Sequence, residues 1–413
     1  MIKAQRGTKD IFGEEIISWQ WIKNQAQTVF QNAGYNQIST PVFEATELFN
    51  RGVGDSTDIV NKEMYTFSVG GADKNETSIT LRPENTAGVV RAYIEHGLNR
   101  ESAPQKFWYF APMFRYERPQ AGRQRQFHQV GVEMFGIKDP TADAEVILEA
   151  TEFLKSVGLD NLTVEINSLG CKNCKNDYKE SIKKAIAPYL EDMCDDCKMR
   201  FEKNPLRMLD CKNENCQKIF EKEEIKSVIL KDYICDDCKN HFETLLGYLD
   251  ELNIKYTINK FLVRGLDYYN RTVFEIKSER LGSQSAVCGG GRYDGLVEML
   301  GGVPTPAIGF AMGVERLYSL IDKKEAKKLD YYVVSTDLKE ALKLTKKLRE
   351  NGVSADFDMQ GRKFAKQLEK ASKVANYAVI LGEDEIKQGF YSVKDLSSGT
   401  QNKIENFEQL LKI

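Results

Sequence analysis

Arg264, Tyr268 and Tyr269 stand close together in LVRGLDYYNRTVFE, residues 262–275, beside a run of strand-forming side chains. Arginine offers a planar fork of donors that stays charged at any working pH, and tyrosine hydroxyls can read a polar ring. The cluster suits an anionic ligand of aromatic size. Three further stretches stand out: FRYERPQAGRQRQFHQVGVEMFG at 114–136, CGGGRYDGL at 288–296 and GFAMGVER at 309–316. The glycines of CGGGRYDGL come with neither a Walker lysine nor a Rossmann spacing, so they are read as letting backbone approach a planar ligand closely.

Eight of the nine cysteines form pairs in the middle of the chain: Cys171/Cys174, Cys194/Cys197, Cys211/Cys216 and Cys235/Cys238. Nineteen residues separate Cys174 from Cys194, within the spacing of tetrathiolate zinc sites, and a cytosolic chain disfavours disulfides. One or two structural Zn²⁺ ions are the expectation, against reduced cysteines without metal or redox pairs. Two pairings are open. The nested one is preferred, with Cys194, Cys197, Cys211 and Cys216 on one ion and Cys171, Cys174, Cys235 and Cys238 on another, the outer set fastening the segment at its base.

The elements that must position these groups follow from periodicity. Trp19, Ile22, Ala26, Val29 and Phe30 recur at helical spacing, with Gly34 where a helix end favours glycine. The stretch 34–41 predicts a strand stopping at Pro41, which cannot donate to a ladder. KEMYTFSV, SITLRPE, KFWYFAPMFRYE and RQFHQVGVEMFG then predict successive strands of an antiparallel sheet carrying the site. A helix over about 142–157 ends at Gly158, and NLTVEINSLG is a strand. From 171 to about 260 lysine, aspartate and cysteine rise and helical patterns return, the mark of an inserted domain. Sheet pattern resumes at 261–300 and a helix follows GVERL. Beyond DKKEAKKLD, strand and helix alternate, implying a small, mostly parallel α/β domain.

With 413 residues, 41% hydrophobic and 29% charged, the chain can bury a large core and hold two or three domains. No apolar run approaches the roughly 18 residues that span a membrane, and the N-terminus is polar and mixed in charge, so a cytoplasmic protein without a membrane partner is expected. A net charge of −3 gives no global basic field for nucleic acid. From Lys323 to Ile413, 18 Lys plus Arg stand against 14 Asp plus Glu, a balance of +4; a solvated helix face would look the same.

RGLDYY, FRYE, CGGGRYDGL and GVER together resemble histidyl-tRNA synthetase, a class II aminoacyl-tRNA synthetase family, from Arg6 to the C-terminus. The resemblance implies an α+β fold: a class II antiparallel-sheet catalytic domain over 1–170 and 261–322, a helical Cys-rich insertion at 171–260, and a C-terminal α/β anticodon-binding domain at 328–413. It implies a homodimer, with the element at 34–41 on the two-fold interface. The activity implied is ligation of L-histidine to its tRNA through a histidyl-adenylate, with Mg²⁺ accompanying ATP and no DNA partner.

Adenylation is opposed mainly by charge repulsion and alignment, so the site must supply fixed cations. By the resemblance, Arg115 holds the α-phosphate and carboxylate, Arg316 stacks on adenine, and Arg264 reaches the same phosphate from the other side. Glu117 and Arg123 belong to the ATP site. Glu84 is similar to the ligand of the substrate α-amino group, assisted by Thr86. Asn85 follows it where a glycine is common, a residue that tolerates positive φ. Gln129 touches the amino acid. Glu133 and Tyr269 match the partners of the two imidazole nitrogens, with Tyr268 and Tyr293 closing the pocket. Gln120, Arg123 and Arg125 are the candidates for the tRNA acceptor end. His128 is the histidine inside a motif, but adenylation needs no protein base and the family assigns it none. The non-catalytic relative of this fold that regulates ATP phosphoribosyltransferase generally lacks the arginine cluster and the C-terminal domain; other class II synthetases do not fit LVRGLDYY.

Overall fold

A computed structural model describes residues 1–54, 57, 59–69, 77–119, 123–231, 233–278 and 286–413. Two compact units result, Met1–Lys324 and Glu325–Ile413. In chain order the first unit holds strands β1 (Asn36–Gln37), β2 (Phe43–Ala45), β3 (Tyr65–Val69), β4 (Thr77–Leu81), β5 (Gln105–Phe114), β6 (Gln126–Phe135), β7 (Leu162–Ser168), β8 (Tyr256–Ile258), β9 (Asn270–Ser278), β10 (Ala286–Arg292) and β11 (Ala307–Gly313). Eight of these make one sheet in the order β1-β5-β6-β11-β10-β9-β7-β8. The six central strands are antiparallel, and a parallel pair closes each edge.

The helix Glu14–Asn32 covers one face. Trp19, Ile22, Ala26 and Phe30 are buried at spacings of three and four, Glu14 and Glu15 complement the helix dipole at its start, and Gly34 at φ +80° lets the chain turn back. This helix and Thr141–Ser156 pack Phe30, Ile147 and Phe153 against Trp108, Val132, Ile308 and Phe310 of the sheet. Both faces of the central strands are covered, which is why β6 runs buried from Val130 to Phe135 without polar alternation.

Three expectations are corrected. The strand after the first helix is two residues long and ends well before Pro41. β3 and β4 do not continue the large sheet; they form a separate sheet in the order β2-β4-β3. Hydroxyls explain this: Thr66 of β3 bonds Thr80 of β4, and Thr46, at the start of the helix after β2, bonds Ser78 and Thr80, and β3 is largely exposed, a composition that cannot be covered on two faces. Finally, the stretch 171–260 is not wholly separate from the sheet. Phe242, Leu245 and Leu249 of the helix Asp236–Glu251 belong to the main core, and β8 pairs with β7. The rest of that stretch is helical, over Lys172–Ile186, Asp195–Lys203, Glu214–Phe220 and Glu223–Leu230.

The second unit has β12 (Leu329–Ser335), β13 (Ala355–Phe357), β14 (Ala375–Leu381), β15 (Tyr391–Asp395) and β16 (Gln401–Ile404) in the order β13-β12-β14-β15-β16. The first three are parallel, and β15 and β16 add an antiparallel hairpin. Tyr331 and Val333 pack on one face of β12, Tyr332 and Val334 on the other, as a strand buried on both sides requires.

Candidate active site

Alternation along β5, β6 and β11 sends Trp108, Val130, Val132 and Phe310 into the core below, and turns Tyr109, Gln129, Glu133 and Ala311 to the opposite face. Glu133 sits in register with Gly309 on one side and Phe107 on the other. A Cβ on Gly309 would lie 2.0 Å from Glu133 Oε2, so glycine leaves the space this carboxylate occupies.

Two adjoining cavities open on this face. The inner one, about 190 Å³, is lined by Glu84, Thr86, Glu133, Tyr268, Tyr269 and Tyr293. The outer one, about 330 Å³, is lined by Glu117, Arg123, Phe127, Glu275, Glu315 and Arg316. Arg115, Gln129, Arg264, Gly289 and Ala311 line both. The structure thus brings together every expected ATP- and histidine-site residue, and divides them between two compartments that meet at two arginines.

Glu133 is 1% exposed. Its carboxylate accepts from Thr86 Oγ1 at 2.7 Å, Tyr293 Oη at 2.5 Å and, more weakly, Tyr109 Oη at 3.3 Å. Burial pushes its pKa up to about 8 against the pull of the hydroxyls, and Glu84 adds to the rise. Glu84 accepts from the backbone N–H groups of Thr86 (2.8 Å) and Ala87 (2.9 Å) at the start of the helix Thr86–Glu95. Burial raises its pKa too, opposed by those two bonds and by Arg115. Tyr268 lies between the rings of Tyr269 and Tyr293, with centroids 4.7 and 5.5 Å away. Burial pushes the Tyr269 phenol up to about 12, so it is a donor at neutral pH.

Arg264 is ion-paired with Glu275, and its guanidinium lies over Gly289, where an added Cβ would come within 2.1 Å of it. The planar group that approaches this glycine is the protein's own arginine. Arg115 donates from Nε to the Pro83 carbonyl at 2.9 Å and packs on Phe127. Arg316 donates to the Ala286 carbonyl at 2.6 Å; burial and then Arg123 lower its pKa. Gln129 Oε1 is buried without a hydrogen-bond partner.

The acceptor-end candidates are dispersed. Arg123 is exposed and 3.4 Å from Glu117. Arg125 lines neither cavity; its guanidinium stacks on Tyr116 at 4.0 Å. Gln120 lies outside the described residues. His128 also lines neither cavity: Trp19 packs on its ring at 4.7 Å and Glu315 accepts from its backbone N–H at 2.9 Å. Asn85 has φ −110°, so the positive φ it tolerates is not used; its Oδ1 instead accepts from Thr40 Oγ1 and Arg82.

Sequence reasoning missed Tyr109, Glu275, Glu315 and Arg292. Alternation along each strand gives the face of the first two but not their neighbours; the pairings that set Tyr109 on the Glu133 face and Glu275 beside Gly289 join separate strands. Arg292, fully buried, is ion-paired with Asp143 and donates to the Ile137 carbonyl at 2.9 Å, anchoring the backbone that carries Tyr293.

The cysteines gather in two fours, Cys171, Cys174, Cys235 and Cys238, and Cys194, Cys197, Cys211 and Cys216, with sulfurs in each within 4.8 Å of one another. This grouping is the nested one. A tetrahedral ion with Zn–S bonds of about 2.3 Å needs sulfurs about 3.8 Å apart; Cys171 and Cys174 are 3.5 Å apart, Cys194 and Cys211 3.7 Å. Cys171, Cys194 and Cys235 each precede the first residue of a helix, where the dipole favours thiolate. Backbone N–H groups of Cys171, Cys194 and Cys235 donate to Cys238, Cys216 and Cys174 sulfurs. The residues fit a tetrathiolate ion at each cluster.

Comparison with known proteins gives a consistent picture. A family profile described as histidyl-tRNA synthetase matches residues 7–174 and 190–317, and one described as an anticodon-binding domain matches 323–412. Histidine–tRNA ligase of Halothermothrix orenii is 47% identical, covering 99% of this chain and 100% of its own. That of Caldanaerobacter subterraneus is 45% identical and covers 100% of both. Among solved structures, apo S. aureus histidyl-tRNA synthetase is similar with a TM-score of 0.81 at 36% identity, covering 100% of this chain and 99% of its own.

Proposed function

The chain belongs to the histidyl-tRNA synthetase family and is a histidine–tRNA ligase, and from that premise we propose how its residues divide the work. L-Histidine occupies the inner cavity and ATP the outer. Glu84 and Thr86 receive the α-amino group, a charge-assisted pair in a partly dry site. Glu133 and Tyr269 take the two imidazole nitrogens, Tyr268 and Tyr293 close around the ring, and Gln129 presents its unpartnered amide oxygen to the amino acid.

The substrate carboxylate attacks the α-phosphorus where the cavities meet, and pyrophosphate leaves. Arg115 and Arg264 flank that junction. Glu275 holds Arg264 there through its ion pair, so the cation needs no reorganisation when charge spreads over the phosphate oxygens. Arg316 stacks on adenine, Arg123 meets the outer phosphates, and Glu117 lines the same ATP cavity beside Arg115 and Arg123. Mg²⁺ accompanying ATP would offset phosphate charge, and Glu315, a carboxylate lining the outer cavity, would be available to hold it. In the second step a terminal ribose hydroxyl of tRNA attacks the mixed anhydride carbonyl and AMP leaves, with Gln120, Arg123 and Arg125 on the acceptor end. Domains at 1–170 with 261–322, 171–260 and 328–413 carry catalysis, the insertion and anticodon binding.

Structural Zn²⁺ at both cysteine clusters is part of the proposal, each ion cross-linking helix starts. So is a homodimer: Phe43 of β2, Val42 just before it, and Phe67 and Val69 of β3 are exposed apolar side chains for a second copy to cover. A cytoplasmic location accords with the described residues, among which no helix is long and apolar enough to cross a membrane.

The observation that carries this assignment is Glu133, a buried carboxylate among hydroxyls at the floor of the inner cavity. Amino-acid-dependent ATP–pyrophosphate exchange across the twenty amino acids tests it. Histidine alone should support exchange, and Glu133→Ala should abolish it while ATP binding survives. Near-normal histidine turnover by that variant would remove the assignment.

A further inference from the structure

The segment 262–269 carries Arg264, Tyr268 and Tyr269, yet it has no regular secondary structure to hold it. Side chains from the cysteine-rich segment do so instead. Lys175 Nζ donates to the carbonyls of Asp267 at 2.9 Å and Tyr269 at 2.8 Å. Arg207 Nη1 donates to the Gly265 carbonyl at 2.6 Å, and Asn204 Nδ2 to Asp267 Oδ1 at 2.6 Å. Alternate carbonyls, at 265, 267 and 269, are therefore received by cations from elsewhere in the chain.

The origin of those cations matters. Lys175 follows Cys174 directly, in the first turn of Lys172–Ile186. Asn204 and Arg207, both buried, lie between Cys197 and Cys211. Each cluster thus sits at the root of one support. Past the segment, Arg271 donates to Asp237 at 2.5 Å, beside Cys238, and its backbone N–H reaches the Gly170 carbonyl at 2.8 Å, beside Cys171.

We infer that the two cysteine clusters act on histidine recognition from a distance: they fix Lys175, Asn204 and Arg207, and these positioning residues hold 264–269 in the shape that presents Arg264, Tyr268 and Tyr269 to the cavities. This rests on the inner cavity being the histidine pocket. None of the three side chains lines either cavity, so the effect runs through the backbone they grip. Histidine-site geometry then depends on metal bound outside the site.

The test uses the full chain. Lys175→Met and Arg207→Met are assayed by histidine-dependent ATP–pyrophosphate exchange, with zinc counted in each preparation. KM for histidine should rise about tenfold or more, since Tyr268 and Tyr269 line only the inner cavity, and kcat should fall as well, since Arg264 of the same segment lines both. Zinc content should match wild type. Hydrogen–deuterium exchange over 262–271 should quicken in both variants and in wild type stripped of metal by a chelator. Unchanged histidine KM together with unchanged exchange in both variants overturns the inference, as does protection of 262–271 that survives without metal. Wild type that fails to exchange with histidine would instead sink the pocket assignment, and hydrogen exchange would still judge the clamp.

Discussion

At the scale of single residues, Glu133 shows a carboxylate held by hydroxyls alone in its immediate shell, Thr86, Tyr109 and Tyr293. Its raised pKa makes it a cost to stability as pH rises. The folded group binds its proton up to about pH 8, whereas an unfolded glutamate releases it near 4.5. Between those values the native state holds more protons, so this group's contribution to stability falls as pH rises. Glu133→Gln removes the titration and keeps the shape. Its stability relative to wild type should increase by on the order of 2–3 kcal/mol from pH 5 to pH 8 without histidine, read by denaturant unfolding at each pH; parallel curves for the two proteins would contradict this. The same variant should lose about 100-fold or more in kcat/KM for histidine with little change in KM for ATP. Glu133 and Arg264 were legible because their motifs are dense and distinctive. Glu275 and Tyr109 were not, because a strand residue's partner is set by register between segments far apart in sequence, which no local spacing encodes.

At the scale of elements, the sheet works as a floor whose missing side chains matter as much as those present. Gly289 and Gly309 lie under Arg264 and Glu133, but substitutions at them should differ. At Gly289 the three atoms nearest the added methyl all belong to the end of the Arg264 side chain, which can swing away. Gly289→Ala should fold with near-wild-type thermal stability, while kcat for adenylation falls about 10²–10³-fold, the loss expected for one displaced transition-state donor. At Gly309 the methyl also meets the Val132 carbonyl at 2.4 Å, so Gly309→Ala should cost about 1–3 kcal/mol of stability in a melting experiment besides activity. The long helices and β5, β6 and β7 were visible from periodicity. β3 and β4 were visible as strands but not as a separate sheet, since strand pattern tells which residues face a core, not which core. The β15–β16 hairpin escaped because Asp395, which accepts from the backbone N–H groups of Ser397 and Ser398, and Gly399 at φ +78° make its turn within a stretch with weak alternation.

At the scale of the whole molecule, the two units predict separable steps. A chain ending at Lys324 should retain histidine-dependent pyrophosphate exchange within about threefold, yet charge tRNA at least about 100-fold more slowly, because anticodon contacts add affinity without touching the adenylate. Equal loss of both activities would argue against that division. Protein purified without a histidine tag should carry about two zinc ions per chain, as eight well-placed thiolates allow; less than about 0.3 by elemental analysis would refute the metal. The nesting of the clusters has one more consequence, for the order of assembly. Residues 194–216 form a short loop inside the longer one spanning 171–238. Closing a loop costs entropy that grows with the logarithm of its length. An ion captured first by the inner four shortens the path the outer four must bridge, so a nascent chain would load from the middle outward, and arrival of the second ion would report that the first is already in place.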